Sequence, residues 1–99
     1  MTQPIAKDKL DTFLTQMEGW EAKGDEWILK RYAFKNFLKA LNFANAVGFL
    51  AEKAMHHPDM KLGWGYVEIN LQTHDVGGKV TDKDVELATQ VEKLFKGLC

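Results

Sequence analysis

Tyr66-Val67-Glu68-Ile69-Asn70-Leu71-Gln72-Thr73-His74 is the stretch whose reading decides the fold. Apolar and polar residues alternate along it. Val67, Ile69 and Leu71 fall on one side, and Glu68, Asn70, Gln72 and His74 on the other. A period of two marks a strand with one buried and one wet face, as in an antiparallel sheet. Upstream, Gly63-Trp64-Gly65 reads as a bend; downstream, Gly77-Gly78 reads as a turn.

The neighbouring segments carry the helical period instead. Asn36 suits an N-cap, and a long helix is expected from there to about Met55. Two apolar stripes run along it: Phe37, Leu41, Ala44, Gly48 and Ala51 in one, Phe43, Val47, Leu50 and Ala54 in the other. That surplus suggests a second packing partner, with Phe43 and Val47 on the docking face, or else one wide stripe meeting a sheet and another helix. Pro58 ends the helical region, because the residue before a proline is pushed out of the helical basin. Thr81-Asp82-Lys83-Asp84 reads as an N-cap with an acid at N3, a variant of the capping box. The helix that follows, to about Lys96, carries Val85, Ala88, Val91, Leu94, Phe95 and Leu98 as its apolar set. Near the start, Leu10, Phe13, Leu14 and Met17 give one helical face within Ala6 to Glu18, with Gly19 placed to stop it. Trp20-Glu21-Ala22, the turn at Lys23-Gly24-Asp25 and the segment Glu26 to Phe34 read as a hairpin. The order is helix, hairpin, long helix, strand pieces, helix. It predicts an α+β fold of antiparallel strands with helices segregated to one face.

The chain has 99 residues, which fits one domain over positions 1–99. At that size roughly 60–65% of the extended chain's surface is buried, and a 45% apolar content can fill the core. The single cysteine, Cys99, allows no disulfide within the chain, which fits a reducing compartment. A net charge of −1 without a basic stripe argues against direct nucleic-acid binding. No apolar run approaches the ~20 residues of a membrane span. The opening Met1-Thr2-Gln3-Pro4-Ile5-Ala6-Lys7-Asp8 lacks a secretory apolar core. A soluble, cytoplasmic protein is expected.

His56, His57 and His74 are the only histidines, and they stand at two junctions: His56-His57-Pro58 and Thr73-His74-Asp75. Imidazole titrates near neutrality, with an unperturbed pKa of about 6.5, so the set suggests one site for proton transfer. Three neutral imidazoles can also hold a zinc ion, although adjacent histidines point in different directions and the His-x-x-x-His spacing is absent. The bland alternative is three ordinary polar residues at surface junctions. Glu52 lies one helical turn before His56, where its carboxylate would orient that ring. The chain contains no serine, which excludes a Ser-His-Asp triad.

These elements together resemble the pterin-4a-carbinolamine dehydratase family. The resemblance rests on Ala51-Glu52-Lys53, His56-His57-Pro58, Thr73-His74-Asp75, Gly77-Gly78 and Thr81 … Asp84. Gly19-Trp20, Phe34-Lys35-Asn36-Phe37 and Leu87-Ala88 extend it over nearly the whole chain. It implies a four-stranded antiparallel sheet with three helices packed on one face, assembling as a homodimer or homotetramer. It implies dehydration of 4a-hydroxytetrahydropterins to quinonoid dihydropterins, in tetrahydrobiopterin recycling, with neither metal nor redox cofactor. A protein partner is a further possibility, since mammalian relatives bind a homeodomain transcription factor; the alternative function is a non-catalytic interaction or dimerisation module. By the resemblance, His56 and His74 shuttle protons while His57 binds and polarises the ring. Met55, Gln72, Thr73 and Asp75 line the pterin pocket, Glu52 orients a histidine, and Trp20 walls the mouth. Two departures stand out: Met55 replaces a small or acidic residue, and Gly78-Lys79-Val80-Thr81 is one residue longer than the usual loop.

Overall fold

The computed structural model describes residues 3–98; Cys99 lies outside them. The elements run α1 (Lys7–Gln16), β1 (Glu21–Lys23), β2 (Trp27–Ala33), α2 (Phe37–Ala54), β3 (Asp59–Gly63), β4 (Tyr66–Leu71), a 3₁₀ turn (His74–Val76) and α3 (Asp82–Gly97). The four strands form one sheet in the order β1-β2-β4-β3, and every pairing is antiparallel. This is the expected α+β architecture.

The alternation in β4 sets which side is covered. Val67, Ile69 and Leu71 are fully buried, and their register partners on β2 are Tyr32, Lys30 and Ile28. The covered side of β2 is therefore the Ile28, Lys30, Tyr32 set. Against it pack Leu10 and Phe13 of α1, Phe43 and Val47 of α2, and Leu87 and Val91 of α3. Each such side chain contributes about 1.5–3 kcal/mol by leaving water. Tyr32 lies 4.9 Å from Phe43 and 4.7 Å from Phe95 between ring centroids, so aromatic edges lock β2 to both long helices.

Helix α2 corrects the two-stripe expectation. Its buried face is Ala40, Phe43, Val47 and Ala51, drawn from both stripes and including an alanine that neither contained. Phe43 and Val47 are wholly buried and form no docking surface. The large apolar residues of α2 left outside are Phe37, 45% exposed, Leu38, 64% exposed, and Phe49, 77% exposed. Among the described residues, no helix is long and apolar enough to cross a membrane.

A second cluster ties β2 and α3 to the segment that follows α1. Glu92 is buried, and its Oε1 accepts from Lys30 Nζ at 2.5 Å, Tyr32 Oη at 2.5 Å and Trp20 Nε1 at 3.3 Å. Burial pushes the Glu92 carboxyl up, but these donors outweigh it and hold it below the usual carboxylate range. Burial, reinforced by Glu92, pushes the Tyr32 hydroxyl well above the usual phenol range. Lys30 also donates to the Glu18 carbonyl at 2.9 Å. It passes so close to Gly19 that a β-carbon there would lie 2.8 Å from the lysine's Cε and displace it, and the φ of +87° favours glycine by itself.

Candidate active site

Three chain segments deliver the site, beginning with the end of α2. Met55 adopts the left-handed conformation (φ 52°). Its N–H reaches the Glu52 carbonyl at 3.1 Å, and the His56 N–H reaches the Ala51 carbonyl at 3.1 Å. This is a Schellman closure, with methionine where glycine is usual. It takes His56 off the helical lattice, so the one-turn relation between Glu52 and His56 does not hold. His57 Nε2 meets Glu52 Oε1 instead, at 2.6 Å. His56 turns inward, its Nε2 lying 2.5 Å from Asp84 Oδ1. One reversal of the chain thus sends consecutive imidazoles to different carboxylates, the first 12% and the second 55% exposed at the side chain.

The second segment is the end of β4. Thr73 bridges to Lys79, its N–H donating to the Lys79 carbonyl at 2.9 Å. The Gln72 side-chain amide donates to the Glu26 carbonyl at 3.0 Å and the Gly78 carbonyl at 3.2 Å. Gly77 and Gly78 both carry positive φ, and a β-carbon on Gly78 would sit 3.1 Å from the Gln72 amide nitrogen. The glycines thus allow a tight return that leaves His74 exposed at its start.

The return ends on the first turn of α3, where Thr81 and Asp84 form the capping box. Thr81 Oγ1 accepts from the Lys83 amide at 3.2 Å, and Asp84 Oδ2 accepts from the Thr81 amide at 2.8 Å. Asp84 Oδ2 also accepts from Thr73 Oγ1 at 2.9 Å, and the two threonine hydroxyls lie 2.7 Å apart. Asp84 is wholly buried and Thr73 nearly so. The carboxylate that caps α3 therefore also holds His56.

These segments enclose a hollow of about 210 Å³. Met55, His56 and His57 come from the end of α2, Gln72, Thr73, His74 and Asp75 from the end of β4, and Lys83 from α3. All three histidines line it. Glu52 is not among the lining residues and reaches the site through His57. Trp20 stands apart: its ring is buried against Phe13, 6.1 Å between centroids, and its N–H points to Glu92. The indole needs an acceptor once buried, and the acceptor lies on the middle of α3 rather than at the hollow. Three lining or supporting residues were absent from the expected set: Asp84, Thr81 and Lys83. The signal for the first two was the capping box, read as a helix start and as part of the resemblance but not as a site group. Among the described residues, no group of three or more His, Cys, Asp or Glu is disposed to hold a metal ion. A larger cleft of about 530 Å³, between the segment around Pro4 and the start of α3, shares Lys83 but contains no imidazole.

The chemistry available is proton transfer: three imidazoles, two of them bonded to carboxylates, beside a lysine and Asp75. Known proteins resemble this chain over nearly its whole length. The family model described as Pterin 4 alpha carbinolamine dehydratase matches residues 3–94. A protein of Natronomonas pharaonis, provisionally named pterin-4-alpha-carbinolamine dehydratase, is 47% identical over 94 residues, spanning 95% of this chain and 98% of its own. One of the same provisional name from Prochlorococcus marinus is 39% identical, spanning 96% of this chain and 98% of its own. The crystal structure of a transcriptional coactivator/pterin dehydratase from Brucella melitensis matches with a TM-score of 0.84 at 27% identity, covering 92% of this chain and 97% of that one. A pterin dehydratase-like protein identified as a RuBisCO assembly factor in the alpha-carboxysome matches with a TM-score of 0.65 at 26% identity, covering 78% and 89%. By the family match across nearly its whole length, this chain belongs to the pterin-4-alpha-carbinolamine dehydratase family.

Proposed function

We propose that this protein dehydrates a 4a-hydroxytetrahydropterin to the quinonoid dihydropterin, in the recycling of tetrahydrobiopterin. The observation that carries the reading is the gathering of His56, His57 and His74 around one hollow. In the reaction the C4a hydroxyl takes a proton and leaves as water. The N5 lone pair forms the C4a=N5 bond, and a base removes the N5 proton. One acid and one base poised near neutrality suffice, each worth about 10²–10⁴-fold. His56 and His74 shuttle the protons. His57, held by Glu52, binds and polarises the ring. Met55, Gln72, Thr73 and Asp75 form the pocket wall, partly through backbone groups, and no cofactor takes part. The protein works in the cytoplasm as a homodimer or homotetramer.

The test is the decay of 4a-hydroxytetrahydropterin absorbance with and without protein. Acceleration by the wild type and loss of most of it in His57→Ala support the reading; an unaltered decay rate refutes it. One observation favours the second reading, an interaction module: Leu38 and Phe49 leave apolar surface on α2. A partner whose binding is lost in Phe49→Glu, in a protein with no effect on the decay, would select that reading.

A further inference from the structure

We infer that the Thr73 and Thr81 hydroxyls are positioning groups that decide which nitrogen of His56 exchanges protons. The inference deepens the acid–base reading of the site and rests on it. It follows from counting hydrogens. A hydroxyl has one hydrogen to give, and an ionised carboxylate has none. Thr73 Oγ1 lies 2.9 Å from Asp84 Oδ2 and 2.7 Å from Thr81 Oγ1. If Thr73 donates to the carboxylate, it must accept from Thr81. Thr81 can give that hydrogen because its oxygen receives the Lys83 amide at 3.2 Å. The Thr81 amide adds a second donor on Oδ2 at 2.8 Å. The hydrogens then run in one direction: Lys83 amide to Thr81, Thr81 to Thr73, Thr73 to Asp84.

Oδ2 is thereby occupied by two donors, and among the described residues Oδ1 faces only His56 Nε2, at 2.5 Å. With Asp84 acting as acceptor, Nε2 carries the hydrogen. Nδ1 is then the ring atom left to act, as a lone pair in the neutral ring and as an N–H in the cation. Since the ring lines the hollow with only 12% of its side chain exposed, its pose is set by Asp84 rather than by solvent. Thr73 is the vulnerable member of the chain, because its hydroxyl stands between the Thr81 hydroxyl and the Asp84 carboxylate. Without it, Thr81 loses its acceptor, Asp84 loses a donor, and the fixed direction disappears. The aspartate is then freer to share its proton with the ring, and His56 becomes a mixture of tautomers.

The experiment compares Thr73→Val with Thr73→Ser in the full chain. It reads the ¹⁵N pattern of His56, assigned by loss of its signals in His56→Gln, together with kcat, KM and melting temperature. Wild type and Thr73→Ser should show His56 as the Nε2–H form. Thr73→Val should show mixed tautomers and a kcat lower by about 10-fold, with KM changed by less than about two-fold. The serine variant should restore both readouts. The inference is overturned if the valine variant keeps the wild-type nitrogen pattern, or if its activity falls only in step with its melting temperature. The tautomer is read without substrate, so it judges the clamp separately: a protein that leaves the carbinolamine decay unchanged removes the dehydratase reading, whatever the nitrogen pattern shows.

Discussion

Helix α3 carries two buried carboxylates, Asp84 in its first turn and Glu92 two turns on, and they do different work with the same device. Each gathers donors from distant segments onto buried oxygens. Asp84 collects an imidazole, a hydroxyl and a backbone amide; Glu92 collects an ammonium, a phenol and an indole. What separates them is the protonation range of the partners. An ordinary lysine stays protonated through the neutral range, so the Glu92 cluster is a fixed clasp between β2, α3 and the segment that follows α1. Histidine changes charge near neutrality, so the Asp84 cluster holds a group that can give and take a proton beside a hollow. A buried carboxylate is thus no mark of function in itself; the partner it selects is.

The comparison is broken most directly at Asp84. Three donors converge on its two oxygens, and an amide presents only one acceptor atom. Asp84→Asn therefore sets an N–H against either the His56 ring or the Thr73 and Thr81 hydrogens. The expected result is a fall in kcat of about 10²–10³-fold at a stability cost of about 1–3 kcal/mol. Steady-state assays and urea titration measure the two separately. A variant that loses stability but keeps kcat would reduce Asp84 to a helix cap.

Glu92→Gln is the mirror experiment. It leaves Lys30 charged and partly buried without its counter-ion, so it should cost about 3 kcal/mol, while kcat per folded molecule stays within about two-fold. The pH dependence sharpens this. Because the Glu92 carboxyl titrates below its ordinary 4.5 in the folded protein, it stabilises the fold fully above that pH. The contribution disappears as pH falls through the lower, folded value. Acid unfolding should lose that component in Glu92→Gln. Persistence of the wild-type acid profile in the variant would show that the clasp contributes nothing.

The two clusters were unequally legible in the sequence. The capping box at Thr81 and Asp84 is local, as are the alternation of Tyr66–Leu71 and the Asn36 cap, whose Oδ1 accepts from the Lys39 amide at 2.9 Å. Spacing alone reaches these. Partner choice is not local. His56 and Asp84 are 28 positions apart, and Trp20 and Glu92 are 72. Helical spacing assigned Glu52 to His56 because nothing in the residue type at Met55 announces a left-handed turn. Trp20 was placed at the mouth by the resemblance, and its acceptor on α3 is too distant in sequence to be read from its neighbours. On α2, Ala40 lies in the buried face, yet an alanine adds too little apolar signal to mark it.

The smallest expected effect concerns Met55, the residue that turns the two histidines toward their separate carboxylates. A β-branch-free side chain still meets its own carbonyl in the left-handed region, at a cost of about 1–2 kcal/mol relative to a right-handed residue. Glycine has no such penalty but loses more freedom on folding. Met55→Gly should therefore stabilise the protein by no more than about 0.5–1 kcal/mol, read as a small rise in urea midpoint at unchanged slope. Its use is to separate the backbone from the side chain at the lip of the hollow. The chain reversal, and with it the His56–Asp84 and His57–Glu52 pairs, should survive in the glycine variant. Any rise in KM would then belong to the lost thioether, which is 74% exposed above the site. A loss of stability instead would mean that the methionine side chain holds the reversal in place through contacts of its own, and the two imidazoles would owe their divergence to that side chain rather than to backbone closure.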